Sequence, residues 1–458
     1  MRPPDRAGAY GGSRAATGPD APAATAYDGR GPASAAGASQ APTEDERRLA
    51  DAIAAQDEWI ADLLQRLVRA PTVRGHEEPG QIVVEEALRD IGLDPVDVPM
   101  DEVRLRAHPR AAPFDWSLEG TRNVVATWAS GGSGGRSLIL NGHIDVVPPG
   151  DPAAWGEREP FGGEREGDWI YGRGAADMKC GLAAILGAIR GLRTLGVEPL
   201  APVIVESVVE EECTGNGALM TLLDGFTAEG AVIAEPFGAA ITTSQVGVLW
   251  FSVRVTGEPG HAAEAYAPNA IESSLAIVEA LRALEAELNE SPPSPYDRFD
   301  HPINLNVGTI RGGEWPSSAP GGCVTEFRLA MYPGTTVDQM RARIESAVDD
   351  AAATLAVTAE VAYRGFASEG SAIDETHPLV ETLAGAFARM TGSPPSLVAT
   401  TGTTDASVLS GVGGIPAVCF GPYAEQAHGL GERAYLPSVV QTAQVLGLLI
   451  RDWCGISG

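Results

Sequence analysis

The chain has 458 residues, 44% of them hydrophobic and 20% charged, with 61 acidic against 32 basic residues and a formal net charge of −29. That size allows two or three domains with a substantial core, and so acidic a balance argues against nucleic acid or an anionic membrane as partner, since both select a basic face. The five cysteines, Cys180, Cys213, Cys323, Cys419 and Cys454, form no CxxC pair, which points to a reducing, cytoplasmic setting without a disulfide framework or thiolate metal site.

Residues 1–43 are rich in Ala, Gly, Pro and Ser, lack the apolar centre of a signal peptide, and read as a disordered tail. No later apolar run is long enough to span a bilayer. Thr43–Glu46 is a good helix N-terminus with acids in its first turn, and Asp51–Val68 repeats apolar residues at helical spacing. A second helix is expected near Pro79–Ile91, ending at Gly92. Two β-rich runs, Asn123–Trp128 and Ser137–Leu140, are joined by Gly131–Gly135 (GGSGG). That pentapeptide matches the G-x-S-x-G nucleophile elbow, but an elbow leads into a helix and here a strand follows, so a hairpin loop is the better reading. A helix over Leu182–Leu195, a strand at Val203–Val209, a helix near Ala218–Leu223 and a strand at Ala231–Ala234 continue the alternation. The pattern predicts a mainly parallel sheet flanked by helices.

The middle third is different. A strand at Val248–Val255, a helix at Ala270–Leu288, strands near Ile303–Ile310 and Val324–Met331, a helix near Val337–Ala353 and a strand near Ala359–Tyr363 read as a small α+β, ferredoxin-like sandwich. Helix, strand (Ala417–Phe420) and helix then return. The expected organisation is an α/β catalytic domain over 44–244 and 365–458, with 245–364 inserted as a lid and dimerisation domain.

Chemistry-bearing residues gather at predicted strand ends. In SLILNGHIDVVPPG (Ser137–Gly150) an apolar strand ends at Asn141–Gly142 and sets His143 and Asp145 at its C-terminal edge, where open α/β sheets bind ligands. Residues two apart on an extended segment face the same way, so Asp145 is placed to orient the His143 imidazole. Asp177, in YGRGAADMKCG (Tyr171–Gly181), sits in a glycine-rich loop before an apolar helix, where a carboxylate either caps the helix or bridges two metals. VVEEECTGNG (Val208–Gly217) puts Glu210, Glu211 and Glu212 at the end of a buried strand; a nearby cation would relieve their repulsion, and a solvated acidic surface is the plainer explanation. Glu235 ends the next strand in AEPFG, and His428 lies in a loop after Pro416–Phe420. Taken together, two histidines and several carboxylates at the strand ends of one sheet suit paired zinc ions bridged by a carboxylate.

In order and spacing, NGHIDVVPPG, YGRGAADMKCG, EEECTGNG, AEPFG, GEPGHAAEAYAPNAIE and QAHGLGE resemble the motifs of one zinc amidohydrolase and peptidase family. It includes acetylornithine deacetylase, succinyl-diaminopimelate desuccinylase, aminoacylase and bacterial glutamate carboxypeptidase. The resemblance covers about residues 45–455. It implies that Asp177 bridges two Zn2+ ions (Co2+ or Mn2+ as substitutes), that His143 and Glu235 complete one site and Glu212 and His428 the other, and that Glu211 is the general base beside Asp145. His261, in the inserted domain, falls where the family histidine reaches the substrate carbonyl, supplied in dimeric relatives by the partner subunit. Arg328 falls near the position of a substrate-carboxylate ligand, a surface salt bridge being the alternative reading, and Gly402 and Thr403 align with the family's substrate-facing GT-(S/T)-D loop. Glu210 departs from the family pattern without evident harm, Cys180 replaces a common glycine in a packing position, and WPSSAP (Trp315–Pro320) replaces the usual Asn-x-x-Pro. His76, His108, His301 and His377 have no supporting neighbours and read as surface or turn residues.

The implied protein is a homodimeric hydrolase that deacylates a small N-acyl amino acid or analogue. A dipeptidase or carboxypeptidase, a deformylase of an N-formyl aminopyrimidine, and a catalytically inactive binding homologue are the alternatives. Competent residues at all five ligand positions and at the base argue against the last.

Overall fold

The computed structural model describes residues 41–129, 131–238, 240–263 and 268–457. Most of the tail expected over 1–43, and residues 264–267 of the GEPGHAAEAYAPNAIE motif, lie outside these residues.

Thr43 opens the first helix, α1 (Glu44–Ala54), with a capping box: its hydroxyl accepts the Glu46 N–H at 3.2 Å and the Glu46 carboxylate accepts the Thr43 N–H at 2.7 Å. The helical periodicity expected as one run over 51–68 is divided. The chain breaks at Ala55–Gln56 and restarts as α2 (Asp57–Arg69), whose first turn is acidic. The break lets the apolar rows of both helices reach one core, Leu49 and Ile53 from α1 and Ile60, Leu63, Leu64 and Leu67 from α2. The third helix, α3 (Glu78–Ile91), carries Pro79 in its first turn and ends at Gly92 in the left-handed region, φ 83°.

The main sheet has nine strands. Those that frame the site are β1 (Pro95–Pro99), β2 (Arg122–Trp128), β3 (Leu138–His143), β4 (Val203–Val208), β5 (Ala231–Ile233), β6 (Ile241–Gln245) and, from late in the chain, Leu397–Thr400 and Ala417–Cys419. Their spatial order runs β1-β2-β4-β3-β5, then Ala417–Cys419, then β6. The centre of the sheet is parallel: β3 pairs with β4 and β5, and β5 with Ala417–Cys419. β1 and β2 at one edge and Ser371–Ala372 at the other pair antiparallel, whereas Leu397–Thr400 joins β6 in parallel. Because β4 lies between β2 and β3, the GGSGG segment crosses over and does not close a hairpin; a hairpin would need β2 and β3 paired, and each pairs with β4. The parallel centre aligns the C-terminal ends of β3, β4 and β5. His143, Glu210–Glu212 and Glu235 follow from those ends, at one edge of the sheet.

Helix α4 (Cys180–Thr194) is almost wholly buried and packs on α1, α2 and the C-terminal helix Leu436–Leu449. Gly181 permits its approach to the sheet: a Cβ there would stand 2.0 Å from the Ala234 carbonyl oxygen. A second hydrophobic core lies in the middle of the chain. There β7 (Gly247–Thr256), β8 (Leu305–Gly312), β9 (Gly322–Met331) and β10 (Thr358–Ser368) form an antiparallel sheet in the order β8-β9-β7-β10. Helices Ala270–Leu288 and Val337–Leu355 pack on it, with Phe251 stacked on Phe327 at 5.0 Å between ring centres. Among the described residues no helix is long and apolar enough to cross a membrane.

Candidate metal centre and cleft

His143 is fully buried at the end of β3. Its Nδ1 donates to the backbone carbonyl of Asp145 at 2.9 Å, while the Asp145 carboxylate is 3.7 Å away. The orienting partner is therefore the carbonyl, not the carboxylate that sequence spacing suggests. In the neutral ring a hydrogen on Nδ1 leaves Nε2 as a lone-pair donor. With both ring nitrogens protonated, Nε2 donates to Asp177 Oδ1 at 3.0 Å and lies 3.7 Å from oxygens of Glu211 and Glu235; loss of that proton frees Nε2 to ligate a metal. On the other side of Asp177, His428 Nε2 lies 3.3 Å from Oδ2 and 3.1 Å from Glu212 Oε1. Asp177 thus presents one oxygen to each imidazole.

The donor atoms of His143, Glu211 and Glu235, and those of His143, Asp177 and Glu212, lie close enough together to hold a metal ion. Among the described residues, His143 and His428 are the only ion-pair partners of Asp177, Glu211, Glu212 and Glu235. Four carboxylates with two imidazoles and, among the described residues, no arginine or lysine at ion-pair distance form a donor set suited to a divalent cation.

The electrostatics of the protein alone reflect this crowding. Burial opposes the His143 imidazolium, but Glu211, Asp177, Glu235 and Asp145 outweigh it and hold its pKa well above the usual value. Burial, reinforced by neighbouring carboxylates, pushes Glu211 and Glu235 well above the carboxylate range. Asp177 is held low in spite of burial by hydrogen bonds from His143 and His428. The bonds to Asp177 and Glu212 push His428 up to about 10.

Local structure presents these groups. Glu210 and His428 sit in the left-handed region, φ 65° and 62°, a conformation that non-glycine residues hold only when their surroundings fix it. Glu210 is fixed by Trp116 Nε1 at 2.9 Å and the Thr214 hydroxyl at 2.9 Å. Its carboxylate is spent on structure. Lys179, the chain's single lysine, is fully buried, and its Nζ donates to the carbonyls of Leu67 and Ala70 at 2.9 Å, fastening the Asp177 loop to the end of α2. Burial lowers its pKa to about 7. The Cys180 thiol is buried and donates to the Ala176 carbonyl at 3.1 Å, a packing role.

The remaining expected site residues stand apart from the cluster. His261 is exposed on a short strand paired with Ser318–Ala319, and its Nδ1 accepts the Ala263 N–H at 3.1 Å. Arg328 lies on β9 in a cleft of about 640 Å³ whose walls include Pro113, Phe114 and Asp115 opposite Trp250 and Asn306. None of the clustered histidines and carboxylates lines that cleft. Arg328 is half-buried with no carboxylate at ion-pair distance among the described residues, and burial lowers its pKa. The Gly402 N–H is bonded to the Thr400 hydroxyl at 3.1 Å, and the Thr403 hydroxyl donates to the Val246 carbonyl at 2.7 Å. Of the other histidines, His76 and His301 are exposed, His301 pairing with Glu285, and His377 caps a helix by accepting the Leu379 N–H.

Residue patterns gave no individual role to Arg173 or Glu432, and named Asp405 only as the end of the GTTD loop. Arg173 and Glu432 form a buried ion pair between the Asp177 and His428 loops. Asp405, in the GTTD run, is buried with neither carboxylate oxygen hydrogen-bonded among the described residues, and burial pushes its pKa up to about 7. Arg173 and Glu432 stand within quoted motifs, but pairing across more than 250 positions leaves no trace in spacing.

Comparison with known proteins shows the family and the fold. The family profile described as peptidase family M20/M25/M40 matches residues 139–452, more than half of the chain. A succinyl-diaminopimelate desuccinylase of Paracoccus denitrificans is 31% identical over 402 residues, 84% of this chain and 96% of its own length. An N-formyl-4-amino-5-aminomethyl-2-methylpyrimidine deformylase of Halalkalibacterium halodurans is 29% identical over 344 residues, 70% of this chain and 79% of its own. The fold matches a dinuclear metal-binding peptidase of Bacillus subtilis with a TM-score of 0.60 at 15% identity, covering 87% of this chain and 99% of that one. The chain belongs to peptidase family M20/M25/M40 and is a metal-dependent hydrolase of that family.

Proposed function

We propose that the protein is a di-zinc deacylase that hydrolyses the amide bond of a small N-acyl amino acid or close analogue. The observation that carries this reading is the pair of imidazoles on opposite oxygens of Asp177, at 3.0 and 3.3 Å, within a carboxylate cluster that has no arginine or lysine countercharge among the described residues. His143, Asp177 and Glu235 would hold one ion, and Asp177, Glu212 and His428 the other. Zinc held there would supply a water of lowered pKa, toward about 7, and a Lewis acid for a carbonyl oxygen. Cobalt or manganese would suit the same nitrogen and oxygen donors.

Glu211 is the general base. Its carboxylate lies 3.7 Å from His143 Nε2, within the carboxylate cluster, where it can take a proton as water attacks and return it to the leaving amine. Asp145 sets the backbone of Glu211 and Glu212. Arg328, whose charge has no carboxylate at ion-pair distance among the described residues, receives the substrate carboxylate, with Gly402 and Thr403 bordering the substrate. His261 stabilises the developing oxyanion; its exposure is consistent with service across a homodimer formed through the inserted domain, residues 245–364. The 31% relative's name, a desuccinylase, favours deacylation over peptide cleavage.

The test is hydrolysis of N-acetyl, N-formyl and N-succinyl amino acids beside dipeptides, with and without chelator. Chelator-sensitive release of an acyl group supports the reading. Turnover confined to dipeptides makes the protein a peptidase.

A further inference from the structure

We infer that Glu432, paired with Arg173, is the positioning residue that locks the Asp177 loop and the His428 loop into one metal-binding unit. The inference rests on the reading of Asp177 and His428 as ligands. Arg173 stands four residues before Asp177 and Glu432 four residues after His428, so each charge is tethered to the loop it serves.

One oxygen of Glu432, Oε1, accepts three backbone N–H groups of the Asp177 loop: Gly174 at 2.9 Å, Ala176 at 3.0 Å and Asp177 itself at 3.0 Å. The other oxygen pairs with Arg173 Nη1, and Arg173 Nη2 donates to the carbonyl of His428 at 3.1 Å. Both side chains are almost wholly buried. The strand Arg433–Tyr435 pairs with Trp169–Tyr171, and the Gly172 N–H continues that ladder to the Glu432 carbonyl at 3.0 Å. The ladder stops there, and the side-chain bonds take over where the two loops leave it. A carboxylate gathering three N–H groups is a charge-assisted clamp, and it holds the backbone that aims both oxygens of Asp177. Partners behind the ligands of a metal site govern affinity in this way, typically by 10- to 100-fold.

The two partners act on different loops, which makes their effects separable. Glu432→Gln retains an oxygen but turns an amide group toward Arg173, loosening both loops. Arg173→Gln leaves the three N–H bonds in place and frees the His428 carbonyl. The experiment titrates zinc into metal-free wild type, Glu432→Gln, Arg173→Gln and the double variant, reading bound zinc per chain and thermal stability. Glu46→Gln serves as control, since Glu46 is a buried carboxylate held by Arg451 and Arg389 outside the site. Expected results are weaker binding of both ions in Glu432→Gln, by about 10- to 100-fold, and of one ion in Arg173→Gln. The double variant, which leaves no unpaired buried charge, should regain stability without regaining zinc affinity. Glu46→Gln should lose stability and keep wild-type affinity. Wild-type affinity in both single variants and the double variant overturns the inference while leaving the metal site intact. A wild type that binds no zinc overturns the site reading and the inference together.

Discussion

Asp145 holds the backbone of Glu211, accepting its N–H on Oδ1 at 3.3 Å. Its second oxygen accepts the N–H of Glu212 at 3.1 Å. One buried carboxylate thereby sets the direction in which the proposed base and the adjacent ligand leave the strand end. Asp145→Asn keeps the shape but leaves only one oxygen for two N–H groups. We expect kcat to fall about 10- to 100-fold with KM little changed, checked by steady-state kinetics. An unchanged kcat would show that this clamp has no part in placing the base.

Glu211 itself is the sharper test of mechanism. Glu211→Gln should lower kcat by about 10²- to 10⁴-fold, while zinc per chain, measured by elemental analysis, stays at the wild-type value. A variant that loses zinc together with activity would make Glu211 a ligand, which its 3.7 Å approach to His143 also permits geometrically.

Arg328 offers a charge with no protein partner among the described residues. Charged hydrogen bonds contribute roughly 1.5–3 kcal/mol, so Arg328→Met should raise KM about 10- to 100-fold for a substrate bearing a free carboxylate. The same substrate with that carboxylate amidated should be handled alike by both proteins. Equal losses on the two substrates would assign Arg328 to folding.

Glu206 supplies a pH prediction away from the ligands. It is fully buried on β4 and bonded to Asn141 Nδ2 at 3.0 Å, and burial, opposed only by hydrogen bonds from Asn141 and Thr221, pushes its pKa up to about 7. An acid with a raised folded-state pKa contributes its full stability below its ordinary value of about 4.5. That contribution is lost as pH rises through about 7, because the unfolded chain ionises freely and the folded one does so at a cost. Glu206→Gln should flatten this slope. Urea denaturation from pH 5 to 8 should show wild type losing stability, on the order of 1–3 kcal/mol, that the variant keeps. Parallel curves would mean Glu206 is already relieved by water or a neighbouring proton.

The strand–helix alternation, the antiparallel sheet of the middle third and the gathering of histidines and carboxylates were legible because each rests on local pattern. His143, Glu211, Glu212 and Glu235 follow apolar strands, and a parallel sheet brings strand ends together whatever the loop lengths. Contacts that depend on which strands adjoin were not legible. GGSGG read as a hairpin because nothing local reveals that Val203–Val208 intervenes between the strands it connects. Asp145 read as a partner of the His143 ring because residues two apart share a face. Its carboxylate instead met the two backbone donors of the next strand end, which sequence does not show. Arg173 and Glu432 belong to the same class, since each motif is local and their pairing is not.

The central claim is a two-ion centre that activates water, and its most direct test is reconstitution. Metal-free protein would be titrated with zinc while following both binding and hydrolysis of the best N-acyl amino acid from the substrate panel. The account predicts about two zinc ions per chain, activity that rises with occupancy, and loss of turnover on chelation that added zinc reverses. Full deacylase activity in protein shown to contain no metal would contradict it.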